Sequence, residues 1–321
     1  MKDIFKKYGT LLFKIIVSLT IFFIVFKRVT SQESLNLVSI LNFGLLSIII
    51  LTGIIQIIIN AAIQRELLLI YDFKFPFSKL VMHNFISSMY LLIIPGVFAP
   101  DFYLAYQYGT EKKNFRRVIF TLVLNRLIGF IIFLTLAAIG LFVLRKDIFK
   151  SFVLNINPLT LNRLYIVSIL VVTIMLIIGI LYRLKLINYF KKLVILWKEI
   201  ANKKKFLFSA FLLKLAFNFI GISGRIIIGI LLGITMPVWK FACAIFIINL
   251  LVSFPISING IGVREAGYVG LLSMFGFSGK ISLSFALCEF GITLSAFSIG
   301  FILWILRFII RKTSYGANLG I

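Results

Sequence analysis

The chain has 321 residues, 61% of them hydrophobic and 14% charged, with a mean hydropathy of +1.10. A soluble domain cannot bury that much apolar surface, so the bilayer must act as solvent, and the length corresponds to about seven or eight membrane segments. Lys and Arg outnumber Asp and Glu by 34 to 10. The excess sits mostly in short connections, where it orients helices and meets anionic lipid, and not in the contiguous soluble patch of a nucleic-acid binder.

Leu11–Phe26 is predicted to be the first span, a retained anchor with no small-residue cleavage site after it. Phe43–Ile63 is the second. Ser78–Ile94 is apolar but runs into "IPGVFAPD", and a polar stretch with Lys112, Lys113, Arg116 and Arg117 follows. Val118–Leu144, Leu164–Leu181 and Phe206–Ile234 have spanning length. Before the last of these, residues 185–205 place Leu186, Phe190, Leu193, Trp197 and Ile200 at helical spacing opposite lysines, the pattern of an interfacial amphipathic helix. Phe241–Phe254 is too short to cross before Pro255, and Val263–Phe275 is also short. Ser282–Leu306 spans, and the tail carries Arg307, Arg311 and Lys312.

Lys/Arg counts put the N-terminus, the connection 182–205 and the tail on the cytoplasmic side. Parity then requires residues 78–109 and 239–277 to enter the membrane and return. The expected fold class is an all-α polytopic integral membrane protein of the cytoplasmic membrane, one domain over residues 1–321, with both termini cytoplasmic. It has about six full spans and two re-entrant helical hairpins entering from opposite faces. This is the plan of an inverted repeat with broken helices, in which irregular backbone lines a cavity.

Helical spacing sharpens the cavity. Thr52, Gln56, Asn60 and Gln64 share one face of the second span. Lys214, Asn218, Gly221 and Arg225 share a face of Phe206–Ile234, and Glu289, Thr293, Ala296 and Gly300 share one in the last span. Asn125, Arg126 and Gly129 form the fourth stripe. Thr52, Gly221 and Gly300 read as close-packing positions. Charged positions deep in a span mark a pathway instead. Arg126 lies roughly 12–15 Å into its span, too deep for snorkelling, whereas Lys214 and Arg225 lie nearer the ends. In "FPISINGIGVREAGYVGLL", the loop Asn259, Gly260 and Gly262 feeds a half-helix that starts near Val263. Its free N–H groups and the Arg264 fork suit a phosphate. Glu265 would balance Arg264, cap the helix or carry a coupling proton. Asp101, after Pro100, sits where an N-cap is expected, and His83 reads as a hydrogen-bonded packing residue.

The candidate headgroup-binding residues are therefore Arg126, Arg264, Asn259, Gly260, Gly262, Lys214 and Arg225. Glu265, Asp101 and Glu289 are candidates for coupling or ion pairing. Cys243 and Cys288 lack metal or redox spacing, and the sequence has no nucleotide-binding, nucleophile-triad or metal-ligand motif. No cofactor or metal is expected, and no nucleic-acid partner.

"PISINGIGVREAGYVGLLSMFGFS" resembles the signature of the flippase-like membrane domain of lysylphosphatidylglycerol synthases and their stand-alone relatives. Pro255, Gly260, Gly262, Arg264, Glu265 and Gly276 fall on it, with Asn259 where a glycine is usual. "IPGVFAPDFYLAYQYGTEKKNFRRVIFTLVLNRLIG" is similar to a second, looser segment through Pro95, Gly96, Asp101 and Arg126. There Ala99-Pro100 replaces the usual glycines, and Tyr103-Leu104 stands where an Arg is usual. The resemblance covers essentially the whole chain. It implies translocation of a membrane lipid, either an anionic phospholipid or a polyprenyl-phosphate-linked glycolipid, by a translocation module without an aminoacyl transferase domain. The reading is a transporter, not an enzyme, acting as a homo-oligomer or beside a partner synthase or glycosyltransferase. The alternative is a subunit of a lipid-linked glycosyl or aminoacyl transferase system.

Overall fold

The structure is a computed structural model that describes residues 43–93, 98–155, 203–253, 257 and 259–318, together with Thr20 and Phe23. The chain divides into two compact units, Met1–Val143 with Phe206–Ile321, and Leu144–Lys205. Of the second unit only residues 144–155 and 203–205 are described, as the end of one helix and the approach to the next. The expected spans Leu11–Phe26 and Leu164–Leu181, and residues 185–202 of the expected amphipathic helix, lie outside the described residues.

Eight helices are described: α1 (Phe43–Leu69), α2 (Phe77–Ile93), α3 (Ala99–Lys112), α4 (Phe115–Asn155), α5 (Lys204–Leu231), α6 (Val238–Ser253), α7 (Val263–Ser273) and α8 (Gly279–Asn318). No strand occurs among the described residues. Four helices, α1, α4, α5 and α8, contain stretches long and apolar enough to cross a bilayer. At most 28% of the most apolar window of any of them is fully buried inside the protein, and the remaining residues are partly or fully exposed apolar surface suited to lipid. The protein is thus an all-α polytopic membrane protein.

Turn chemistry sets the breaks. The chain leaves α1 through Asp72 at φ 57° and Pro76, and leaves α3 through Lys113 at φ 50°, whose N–H closes on Thr110 O. Gly233 and Gly276, both at φ 83°, end α5 and the turn after α7. α1, α4 and α8 exceed the expected spans, whereas α5 stops at Leu231, short of the expected Ile234. α1 runs to Leu69 where Ile63 was expected, because Gln64 and Leu67–Leu68 are buried and continue the helix inside the protein. α8 similarly continues past Leu306.

A long–short–short–long order occurs twice. α1 and α5 have 27 and 28 residues, α2 and α6 have 17 and 16, α3 and α7 have 14 and 11, and α4 and α8 have 41 and 40. Within the first unit, α2 packs on α1, α3 and α8, and α7 packs on α6 and α8. One apolar cluster joins Ile49, Ile222, Phe241, Tyr268, Phe285 and Ile292; another joins Leu68, Leu80, Leu104, Tyr108, Val118 and Leu122. Small residues set the tightest seams. A side chain at Gly300 would strike Phe85 O, and one at Gly224 would strike Thr52. Ser88 Oγ donates to Ala296 O at 2.9 Å across the α2–α8 seam.

Candidate functional site

The four polar stripes converge. A cavity of about 480 Å3 is lined by Gln56 and Asn60 of α1, Arg126 of α4, Asn218 and Arg225 of α5, and Thr293 of α8, with Asn259 and Arg264 from the second hairpin. That is within the size range of small-molecule sites. The two hairpins approach each other beside it, with Asn259 Nδ2 directed at Leu91 O, 3.4 Å away.

Among the described residues of the second hairpin's turn, three have positive φ: Asn259 (57°), Gly260 (76°) and Gly262 (84°). Gly262 is the N-cap of α7, and a side chain at Gly260 would strike Val252. The turn delivers Arg264 into the second position of α7. Arg264 is 8% exposed. Its Nη2 donates to Asn259 O at 3.1 Å, but Nε and Nη1 are buried without a partner in the protein. Its guanidinium sits 5.6 Å from the Phe290 ring centroid. Glu265 does not neutralise it by contact. Its Oε2 accepts the Gly262 N–H at 2.6 Å, so the carboxylate closes the loop onto the helix start.

The other charges are engaged. Arg225 Nε donates to Glu289 Oε1 at 2.7 Å, and its Nη1 to Gly221 O at 2.9 Å. Arg225, nearer the end of its span, is held at the cavity in an ion pair because its acid partner lies on α8. Arg126 pairs with Asp101 and lies over the Phe98 ring. Asp101 is not the N-cap of α3. Phe98 holds that place, and Asp101 lies within the first turn, turned to Arg126.

Lys214 is buried and is not among the side chains lining the cavity. Its Nζ donates to Asn125 Oδ1 at 3.0 Å, and its stem crosses Gly129, where a side chain would clash with it. From there a chain of amides runs across three helices. Asn125 Nδ2 donates to Asn60 Oδ1 at 3.2 Å, Asn60 Nδ2 to Asn84 Oδ1 at 2.8 Å, and Asn84 Nδ2 to Gln64 Oε1 at 2.9 Å. Asn125, Asn60 and Asn84 each donate and accept, which is the condition for polar groups to survive burial, and Gln64 ends the chain as an acceptor.

The lysylphosphatidylglycerol synthase TM region family model matches residues 11–303. The chain belongs to this family. No curated protein and no solved structure gives a significant match. Membership places the chain in a membrane family whose description is tied to a lipid synthase. Pro95, Gly96 and Pro255, which carry part of the resemblance, lie outside the described residues; Asp101, Arg126, Asn259, Gly260, Gly262, Arg264 and Glu265 all lie at or beside the cavity of this family member.

Sequence reading missed two features. Asn84 is the junction of the amide chain. A fully polar side chain in the apolar arm of a hairpin was the available signal. Arg307 was placed in a basic tail, but its Nη1 reaches His83 Nδ1 at 3.3 Å and its Nη2 reaches Gln107 Oε1 at 3.5 Å. His83 itself is buried and bonds Tyr103 OH at 2.9 Å, consistent with a packing role.

Proposed function

We propose that the chain translocates an anionic or phosphate-bearing lipid across the cytoplasmic membrane, as a single transmembrane domain. The carrying observation is Arg264, a buried guanidinium that lines the cavity with two nitrogens unpartnered. An unsatisfied buried donor costs about 1–3 kcal/mol and more when charged. An anionic headgroup removes that cost. The α7 N-terminus, with its positive dipole end, adds to the attraction. Gln56, Asn60, Asn218 and Asn259 supply neutral donors and acceptors for the rest of the headgroup, and the acyl or isoprenoid tails stay in lipid.

Among the described residues the cavity lining contains guanidiniums and amides but no carboxylate or imidazole. That favours passage of a headgroup over acid–base chemistry on it, and so favours transport over the transferase-subunit reading. In this proposal α2–α3 and α6–α7 are the re-entrant hairpins, residues 78–109 and 239–277, entering from opposite faces of an inverted repeat of about six full spans. Both termini are cytoplasmic. A partner synthase or glycosyltransferase, or a second copy, would supply or receive the lipid.

The test is headgroup-resolved translocation in vesicles reconstituted with the purified chain. Accelerated exchange of an anionic phospholipid or a polyprenyl-phosphate glycolipid, with wild type active and Arg264→Ala inactive, is the expected result. Equal rates in protein-free and protein-containing vesicles for every anionic lipid would refute the proposal.

A further inference from the structure

The two halves carry the same pair of positions with the signs exchanged. In the first half an acid, Asp101, stands at the start of the return helix α3, and its base, Arg126, stands on the following long helix α4; the two are bonded. In the second half a base, Arg264, stands at the start of α7, and an acid, Glu289, stands on α8. The interval along the chain is the same as from Asp101 to Arg126. By the logic of a repeat, Arg264 and Glu289 should pair. They do not. Glu289 Oε1 is held by Arg225 from α5 at 2.7 Å, while Arg264 lies over Phe290, the residue next to Glu289.

Both groups are left incomplete. Arg264 Nε and Nη1 lack partners, and so does Oε2 of Glu289, whose side chain is 4% exposed. A donor and an acceptor that each need the other are thus kept apart inside one buried cluster. Glu265, the remaining acid nearby, is committed to the Gly262 N–H. A carboxylate and a phosphodiester are alternative ligands for the same guanidinium, since both offer paired oxygens.

We infer that Glu289 is an internal anion that competes with the lipid phosphate for Arg264, and that Arg225 is the residue that draws it away. With Glu289 on Arg225, Arg264 is open to a headgroup. With Glu289 on Arg264, as Asp101 is on Arg126, the site is closed and the phosphate is released. The exchange lets one buried charge cluster hold and discharge its cargo by trading one anion for another on Arg264. It rests on the translocation reading above and assigns Arg225 and Glu289 a role different from direct headgroup binding.

The experiment is native mass spectrometry of the full chain equilibrated with a mixture of phosphatidylglycerol and phosphatidylcholine, with translocation measured in parallel. Glu289→Gln keeps the shape and still accepts from Arg225 but loses the competing charge. Phosphatidylglycerol binding should tighten about tenfold, the magnitude of one charged hydrogen bond, while translocation slows because discharge is lost. Arg225→Gln should weaken binding by a similar factor, since Glu289 falls to Arg264. The double variant Arg225→Gln/Glu289→Gln should restore it. Restoration is the signature of competition, because an Arg225 that itself grips phosphate cannot be rescued by removing an acid. If Arg225→Gln does not fold, Glu289→Gln and the double variant, neither of which strands a lone acid, still decide the matter. Weaker binding in Glu289→Gln, or no binding in the double variant while wild type binds, overturns the inference and leaves the translocation reading standing. Absence of phosphatidylglycerol preference in wild type, together with absence of translocation of any anionic lipid, overturns both.

Discussion

The two halves share a helix order but spend their charges differently. In the first, the hairpin tip enters α3 through Phe98 at φ −92°, an ordinary conformation, and its acid is bonded to Arg126. In the second, the tip enters α7 through Gly262 at φ 84°, and its base is left with two unpartnered nitrogens. In the first half the charge at the start of the return helix is paired; in the second it is not, and the helix start there is a glycine at positive φ. The difference teaches that in a repeat the working member can be recognised by what it leaves unsatisfied, because burial without partners persists only where something else maintains it.

The comparison breaks or sharpens under substitution. Arg264→Ala should have the largest effect, a loss of roughly a hundredfold in translocation, with Arg264→Lys intermediate because the charge stays and the planar fork goes. Gly262→Val comes next: the backbone strain of roughly 1–3 kcal/mol should collapse the α7 start, seen as a lower melting temperature and abolished transport. By contrast Phe98→Leu, at the matching place in the first half, should leave the fold intact. Arg126→Met should destabilise the protein by stranding Asp101, and the double variant Arg126→Met/Asp101→Asn should recover stability in thermal melts. If the double variant also transports like wild type, the first-half pair is only structural. If it melts like wild type but is inactive, the first half also meets the headgroup, and the contrast drawn between the halves is wrong. Glu265→Gln should be mildest, costing about 1 kcal/mol as the charge-assisted bond to the Gly262 N–H weakens, with phosphatidylglycerol binding retained.

Much of the fold was legible because lipid forces the pattern. Apolar runs of spanning length read as helices, and α1, α4, α5 and α8 are such helices. The stripes through Asn60, Asn125, Asn218 and Thr293 were readable at helical spacing, and they do meet at one cavity or its wall. Pairing was not readable. Nothing in the order of residues says that Glu289 turns to Arg225 rather than Arg264, or that Arg307 docks on His83, since such choices depend on helix rotation and crossing. The engagement of Arg225 with Glu289 was hidden for the same reason. Depth was judged from distance to the span's end, but an acid on another helix decided where the side chain went.

The α2–α8 seam has a mechanical consequence. At Gly300 there is no clearance against the Phe85 carbonyl, and at Ser88 the seam is pinned to the Ala296 backbone. Sliding these helices past each other would break a backbone contact before it moved a side chain. They therefore behave as a keel, a stiff member against which other parts must pivot. The second hairpin meets α8 through side chains instead, with Phe241 and Tyr268 against the Phe285 ring, and Asn259 reaches Leu91 through one long hydrogen bond. Rocking motion in this protein should concentrate on that hairpin, and a disulfide staple across α2–α8 should leave turnover unchanged while one across the hairpin tips should stop it.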